Sequence, residues 1–474
     1  ENLAKEIEAL TVNGKAAADV VDGGSFPAVF WAIELGQWAQ VKTLLTTSHG
    51  MKPDLVEKLL SGAFAPIQKS PSAFPGERTF EVCRSLLVDD AKMVSEGKQT
   101  ARGAFALLRP FCASVTALRY FQKHEDHYAW LREACARANE HIYKAIDEQV
   151  GSATLERLAL VGMEENQHSI RQDGPGLLPE MKYFKDENKK WEIAGNPEVF
   201  VARSLALLAL AFNEVFLADI RKVMTAHLAR DAFVHMVEPA PKNFRRMYNK
   251  LMNFAEHGDP SLEKPRPAKN VDVSRCCIGV TDPNDVEIIF RELKKRYKIL
   301  RVKNSHSPSQ QSYCYRSVLV NFAYDPGVTW RELMGDTGGY DAPSDSFHAR
   351  DPKSEVWLNY CQALTPSWDW SWGLEGLFRA ARIEPHRTVC WSAELQIIID
   401  PYMRGRLLSH LLYKIARCET GPAEMARDFA GSFQEETRVM KATRGSLLKM
   451  VSSLRASNLE AISTPADMDR RASF

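Results

Sequence analysis

The 474-residue chain predicts an α+β protein: an all-helical first part, then a mixed β-sheet domain flanked by helices. Two observations carry this expectation. Through residue 240, apolar side chains recur at three-to-four spacing in segments such as 105–120, 129–150 and 200–226, the pattern of helices that bury one face. From Val271 onward, short β-rich runs at 271–280, 298–303, 317–324 and 388–399 alternate with helical patterns, including an amphipathic helix over 285–297. The length is enough for two or three separate cores.

Breaks in the helical part fall at the Gly and Pro clusters of 22–25, 69–76 and 172–179. Residues 27–45 resemble a single ankyrin-like helix pair, but no second copy follows, and stacking needs about three repeats to bury a continuous face. An irregular helical domain over 1–240 is therefore expected. The sheet domain is expected over 241–420, with Pro265 and Pro267 marking entry to its first strand. A long insertion, 325–386, carries Trp357, Trp368, Trp370 and Trp372, whose rings suit a local core, a partner interface or the stacking of a base. Residues 421–474 read as a C-terminal helical extension.

The 61 basic and 60 acidic residues nearly cancel, so no global field attracts nucleic acid or an anionic membrane. The nine cysteines are scattered and form no C-x-x-C pair, which suits reduced thiols in an intracellular compartment. The longest apolar stretch, 204–216, holds Asn213 and Glu214 and falls short of the roughly 20 residues of a membrane span. It predicts a buried helix. The chain begins at Glu1 rather than Met, so removal of an upstream segment is expected, leaving cytoplasm and organelle both open.

No Walker-type, G-x-G-x-x-G or G-x-S-x-G motif appears, which removes the usual support for ATP-motor, dinucleotide and serine-hydrolase functions. His124 and His127 lie three apart, but a third ligand is missing nearby and the pattern is not H-E-x-x-H, so a metal is not expected there.

Five ordered elements remain. A segment with Arg245 and Lys250 (NFRRMYNKL) precedes the run VDVSRCCIGV with Asp272 and Arg275. KILRVKNSH then holds Lys303 and Asn304, and CYRSVLVN holds Tyr315, Arg316 and Ser317. AELQIII brings Glu394 and Gln396, and SHLLYK brings His410, Tyr413 and Lys414. In this order, over residues 240 to 420, they resemble the synthetase domain of the RelA/SpoT nucleotidyltransferases and their remote eukaryotic relatives.

The resemblance implies transfer of pyrophosphate from ATP to a guanosine nucleotide, with magnesium on the polyphosphate and basic groups on its oxygens. It assigns Glu394 and the residue after Lys303 to metal and base roles, and Tyr315 to stacking on the guanine. Arg245, Lys250, Arg275, Lys303, Arg316, Gln396 and His410 are the other expected nucleotide contacts. The pattern also departs from the family. The acid after Lys303 is Asn304, the Gly before Tyr315 is Cys314, and the His position is Asn321 or Val320. An amide carries no charge for magnesium, which prefers carboxylates. The family's hydrolase module is not recognisable in the helical part, which lacks a His-Asp dipeptide.

Single residues keep two readings. Glu394, in an otherwise apolar strand, either faces a polar cleft or pairs with Arg275 or Lys303. His410 suits a structural as well as a catalytic histidine. Residues 294–296 read as a solvated helix face, leaving phosphate contact to Lys303. The expected function is a non-catalytic interaction or structural subunit whose helical half and Trp-rich insertion meet protein partners. The alternative is a nucleotide pyrophosphotransferase or nucleotide-binding sensor using ATP or GTP and magnesium.

Overall fold

A computed structural model describes Phe80, Cys112 and residues 115–179, 197–225, 233–238, 247, 250, 257–307, 316–335, 352–364, 374, 376–378, 380–381, 384–430 and 438–462. Its elements in chain order are α1 (Val115–Lys123), α2 (Glu125–Val150), α3 (Ser152–Leu160), α4 (Pro197–Thr225) and β1 (Phe233–Val237). Then come β2 (Ser274–Val280), α5 (Pro283–Arg296), β3 (Ile299–Asn304), β4 (Val318–Tyr324), α6 (Trp330–Met334) and α7 (Pro352–Leu364). The last are β5 (Trp391–Ile399), α8 (Asp400–Ala416), α9 (Pro422–Ala430) and α10 (Arg438–Ile462). Helix and sheet are thus mixed, as an α+β class requires. The ankyrin-like pair, the breaks at 22–25 and 69–76, Trp368, Trp370 and Trp372 lie outside the described residues.

The chain divides into two compact units. One comprises Glu1–Ser152, Gln311–Tyr315 and Pro401–Ser432; the other comprises Ala153–Gln310, Arg316–Asp400 and Phe433–Phe474. By contacts, residues from 153 onward through α4 group with the sheet, and so does α10.

In the helical unit α2 buries Tyr128, Leu131, Cys135, Ala138 and Ile142, positions three or four apart on one stripe, and Tyr143 beside them. Tyr128 Oη donates to the carbonyl of Cys418 at 2.6 Å. Arg132 donates Nε and Nη2 to the carbonyl of Ala416, the last residue of α8, so a cation closes a helix C-terminus where the dipole is negative. His124 and His127 stack at 5.3 Å, and Phe80 stacks on His127 at 4.7 Å. The imidazoles belong to an aromatic cluster that also includes Tyr120, whose hydroxyl lies 2.5 Å from His127 Nδ1.

The other unit is built on a five-stranded sheet in the order β1-β2-β5-β4-β3. Only β2 and β5 pair in parallel; the other neighbours are antiparallel. β1 falls inside the stretch read as helical. Its five residues (FVHMV) are too few for a period to show, and its conformation comes from pairing with β2.

Alternation divides the sheet into two faces. One carries Trp391, Leu395, Ile397 and Ile399 of β5, Cys276, Ile278 and Val280 of β2, and Val318, Val320, Phe322 and Tyr324 of β4, all buried. α4 packs its aromatic residues there: Phe212 meets Trp391 at 5.2 Å, and Phe216 meets Tyr324 edge-on at 5.2 Å. Residues 201–224 are long and apolar enough to cross a membrane, a longer stretch than the 204–216 read from the sequence. The most apolar part of this helix is 72% buried within the protein, as a core helix is.

Three devices complete this unit. Gln172, wholly buried, accepts from Ser392 N through Oε1 and donates from Nε2 to Ser392 O and Asn270 O, so one side-chain amide occupies a ladder position beside β5. The turn after α3 lies along the β3 edge. There Val302 N donates to Asn166 O, Asn166 Nδ2 donates to Leu300 O, and Gly162 sits at φ +70° with space for a Cβ closed by Val302. Finally, Asp219 on α4 accepts from Tyr324 Oη at 2.7 Å and from Arg455 of α10 at 2.8 Å. In the insertion, Trp357 is buried and donates its indole N–H to Leu333 O, placing it in a local core.

Two outcomes are expected from urea unfolding. Arg455→Ala removes the hydrogen-bonded cation of the nearly buried Asp219 carboxylate, leaving Lys222 at 4.0 Å, and lowers stability by about 2 kcal/mol. Gly162→Ala forces a left-handed backbone on a residue whose Cβ would meet Val302 Cγ1 at 2.8 Å, costing about 2 kcal/mol. An unchanged midpoint in either variant contradicts the packing described.

Candidate functional site

The face of the sheet opposite α4 is polar. Register places Arg275 beside Glu394, Glu394 beside Asn321, and Asn321 beside Arg301, so four polar side chains form one row across β2, β5, β4 and β3. The next row holds Cys277, Gln396, Leu319 and Lys303. Each row follows from the two-residue period, which brings every second residue of every strand to the same side.

Hydrogen bonds tie the first row to its surroundings. Arg301 donates Nε and Nη2 to Asn321 Oδ1 at 3.0 and 2.8 Å, while Asn321 Nδ2 donates to Val271 O at 3.3 Å. Burial lowers the Arg301 guanidinium from its ordinary value, and the carboxylates of Glu394 and then Asp272 oppose that shift. Arg301 remains a cation at neutral pH. Glu394 is 7% exposed and Asn321 wholly buried. Arg275 is half-buried, and its Nε meets no hydrogen-bond acceptor among the described residues. The nearby formal charges balance, with Arg275 and Arg301 against Glu394 and Asp272.

Asn304 stands elsewhere. It pairs with Val318 and shares the other face with Val302 and Val320. Its Nδ2 donates to Leu158 O at 2.7 Å, Val161 O at 2.9 Å and Ala159 O at 3.3 Å, and its Oδ1 accepts from His306 N at 3.0 Å. The amide therefore caps the C-terminus of α3, where carbonyls without intrahelical partners need donors. Each bond is worth about 1 kcal/mol net, but an unmet buried carbonyl costs more. Asn304 and Glu394, expected to share the catalytic centre, lie on opposite faces of the sheet.

The other expected contacts divide. Arg275, Gln396 and Lys303 share the face of Glu394; Gln396 is half-buried and Lys303 exposed. Arg316 is buried just before β4 and donates Nη1 to Ser305 O at 3.3 Å. Ser305 and Ser317 pair beyond the β3–β4 ladder, with Ser317 N donating to Ser305 Oγ at 2.7 Å and Ser305 N to Ser317 O at 3.0 Å. Lys250 is half-buried and helical. His410 is exposed on α8, in the helical unit, with its ring 6.4 Å from that of Tyr413. Arg245 and Tyr315 lie outside the described residues. On α5, residues 294–296 are exposed, as a solvated face would be, and Lys294 pairs with Glu164 and Glu165 and Lys295 with Glu292.

Arg301 was not among the residues singled out from the sequence. In the run RVK, Arg301 and Lys303 flank the apolar Val302, so alternation alone puts both on one side. As a magnesium site the donor set does not fit. Asn304 presents its amide nitrogen to helix carbonyls on the far face, and Glu394 and Asp272 both lie close enough to Arg301 to act on its charge.

Asn304→Asp, which restores the family's acid, is expected to lower stability by about 3 kcal/mol at pH 7. It replaces a donor by an anion against three carbonyl oxygens at a helix C-terminus. That environment raises the folded-state value of the introduced carboxyl. Its favourable contribution is thus present below the unfolded value, about 4, and lost as pH rises, so the deficit should shrink on acidification. Denaturant midpoints at pH 7 and 4.5 (about half a unit above that value) check both points; equal stability of variant and parent at pH 7 removes the cap.

Compared with known protein families, curated proteins and solved structures, the chain finds no match in any of the three.

Proposed function

We propose that the chain is a non-catalytic protein that uses a RelA/SpoT-like sheet as a scaffold and serves as an interaction or structural subunit of a larger assembly. The observation that carries this reading is the placement of Asn304. The side chain at the position of the family's metal carboxylate is committed to three carbonyls at the end of α3 and in the turn after it, on the face away from Glu394. Magnesium-dependent pyrophosphate transfer needs acid groups that converge on the polyphosphate, and a donor amide turned away cannot supply one. The hydrogen bonds from Arg301 to Asn321, with the carboxylates of Glu394 and Asp272 acting on the Arg301 charge, support the same reading, since groups that already meet partners have less to gain from a ligand. Protein partners would then be met by the helical part and by the insertion, the two regions that the resemblance leaves without a role in nucleotide chemistry.

A second reading, a nucleotide-binding sensor without transfer activity, is favoured by one observation. The Arg275 guanidinium is half-buried and its Nε meets no hydrogen-bond acceptor among the described residues, the state of a group that an oxyanion would complete.

Calorimetric titration of the full chain with ATP and with GTP, with and without magnesium, separates the two. The scaffold reading expects no saturable heat with either nucleotide. Saturable binding that is lost in Arg275→Ala and in Glu394→Gln overturns it in favour of the sensor, and magnesium-dependent turnover overturns both.

A further inference from the structure

We draw no further inference here: the strongest candidate, the half-buried Arg275 guanidinium with its unpartnered Nε on the polar face of the sheet, belongs to the site already described.

Discussion

Burial of one sheet face under α4 is the constraint on which the second unit depends. Five strands with a two-residue period present two faces, and one of them is lined mostly by apolar side chains. The aromatic contacts from Phe212 and Phe216 to Trp391, Phe322 and Tyr324 seal that face. Once it is sealed, the side of every other strand residue is decided. Val302, Val320, Leu395 and Ile278 go inward to the helix, and Arg301, Asn321, Glu394 and Arg275 must share the opposite side. A slip of one residue in β2, β3 or β5 would turn an arginine or glutamate toward the face that α4 covers, so the register is held by a penalty as well as by attraction.

The same constraint shows what the sequence could and could not disclose. Four strands and the helix between the first two were legible because their patterns are long enough to have a period: β2, β3, β4 and β5 lie within or beside the runs read as strands. β1 was not, because a short edge strand takes its conformation from its neighbour. The helical periodicity of 200–226 was legible, but not its destination. Nothing in an amphipathic or apolar helix says whether it will cover other helices or a sheet. The change of pattern near residue 240 is visible in the sequence, but the grouping of α3 and α4 with the sheet is not.

The candidate site was legible in part. Arg275, Lys303, Gln396 and Glu394 are on one face, as their alternation allows. Lys303 and Asn304 are successive residues of a strand, and successive strand residues point to opposite sides. That fact stood in the sequence and separates Asn304 from Lys303 wherever the strand continues through both. The capping role of Asn304 was not readable, because its partners at 158, 159 and 161 are remote in sequence and meet it only through the fold. Gln172 illustrates the same limit: a glutamine beside a Gly-Pro turn gave no sign that its amide would act as one more ladder residue beside β5.

The closure of α10 on Asp219 has a temporal side. Asp219 and Arg455 are separated by 236 positions, and the intervening chain leaves the sheet unit to build part of the helical one before returning. During synthesis, Asp219 and the Tyr324 hydroxyl can meet long before Arg455 exists. The carboxylate therefore has Lys222 beside it from the start but waits for its hydrogen-bonded guanidinium, and the sheet unit reaches its final form only when the last long helix has emerged. A vectorially made chain with this threading spends much of its synthesis with α4 and α7 lacking the surface that α10 will cover, an interval in which chaperones or other chains can compete for the same apolar groups.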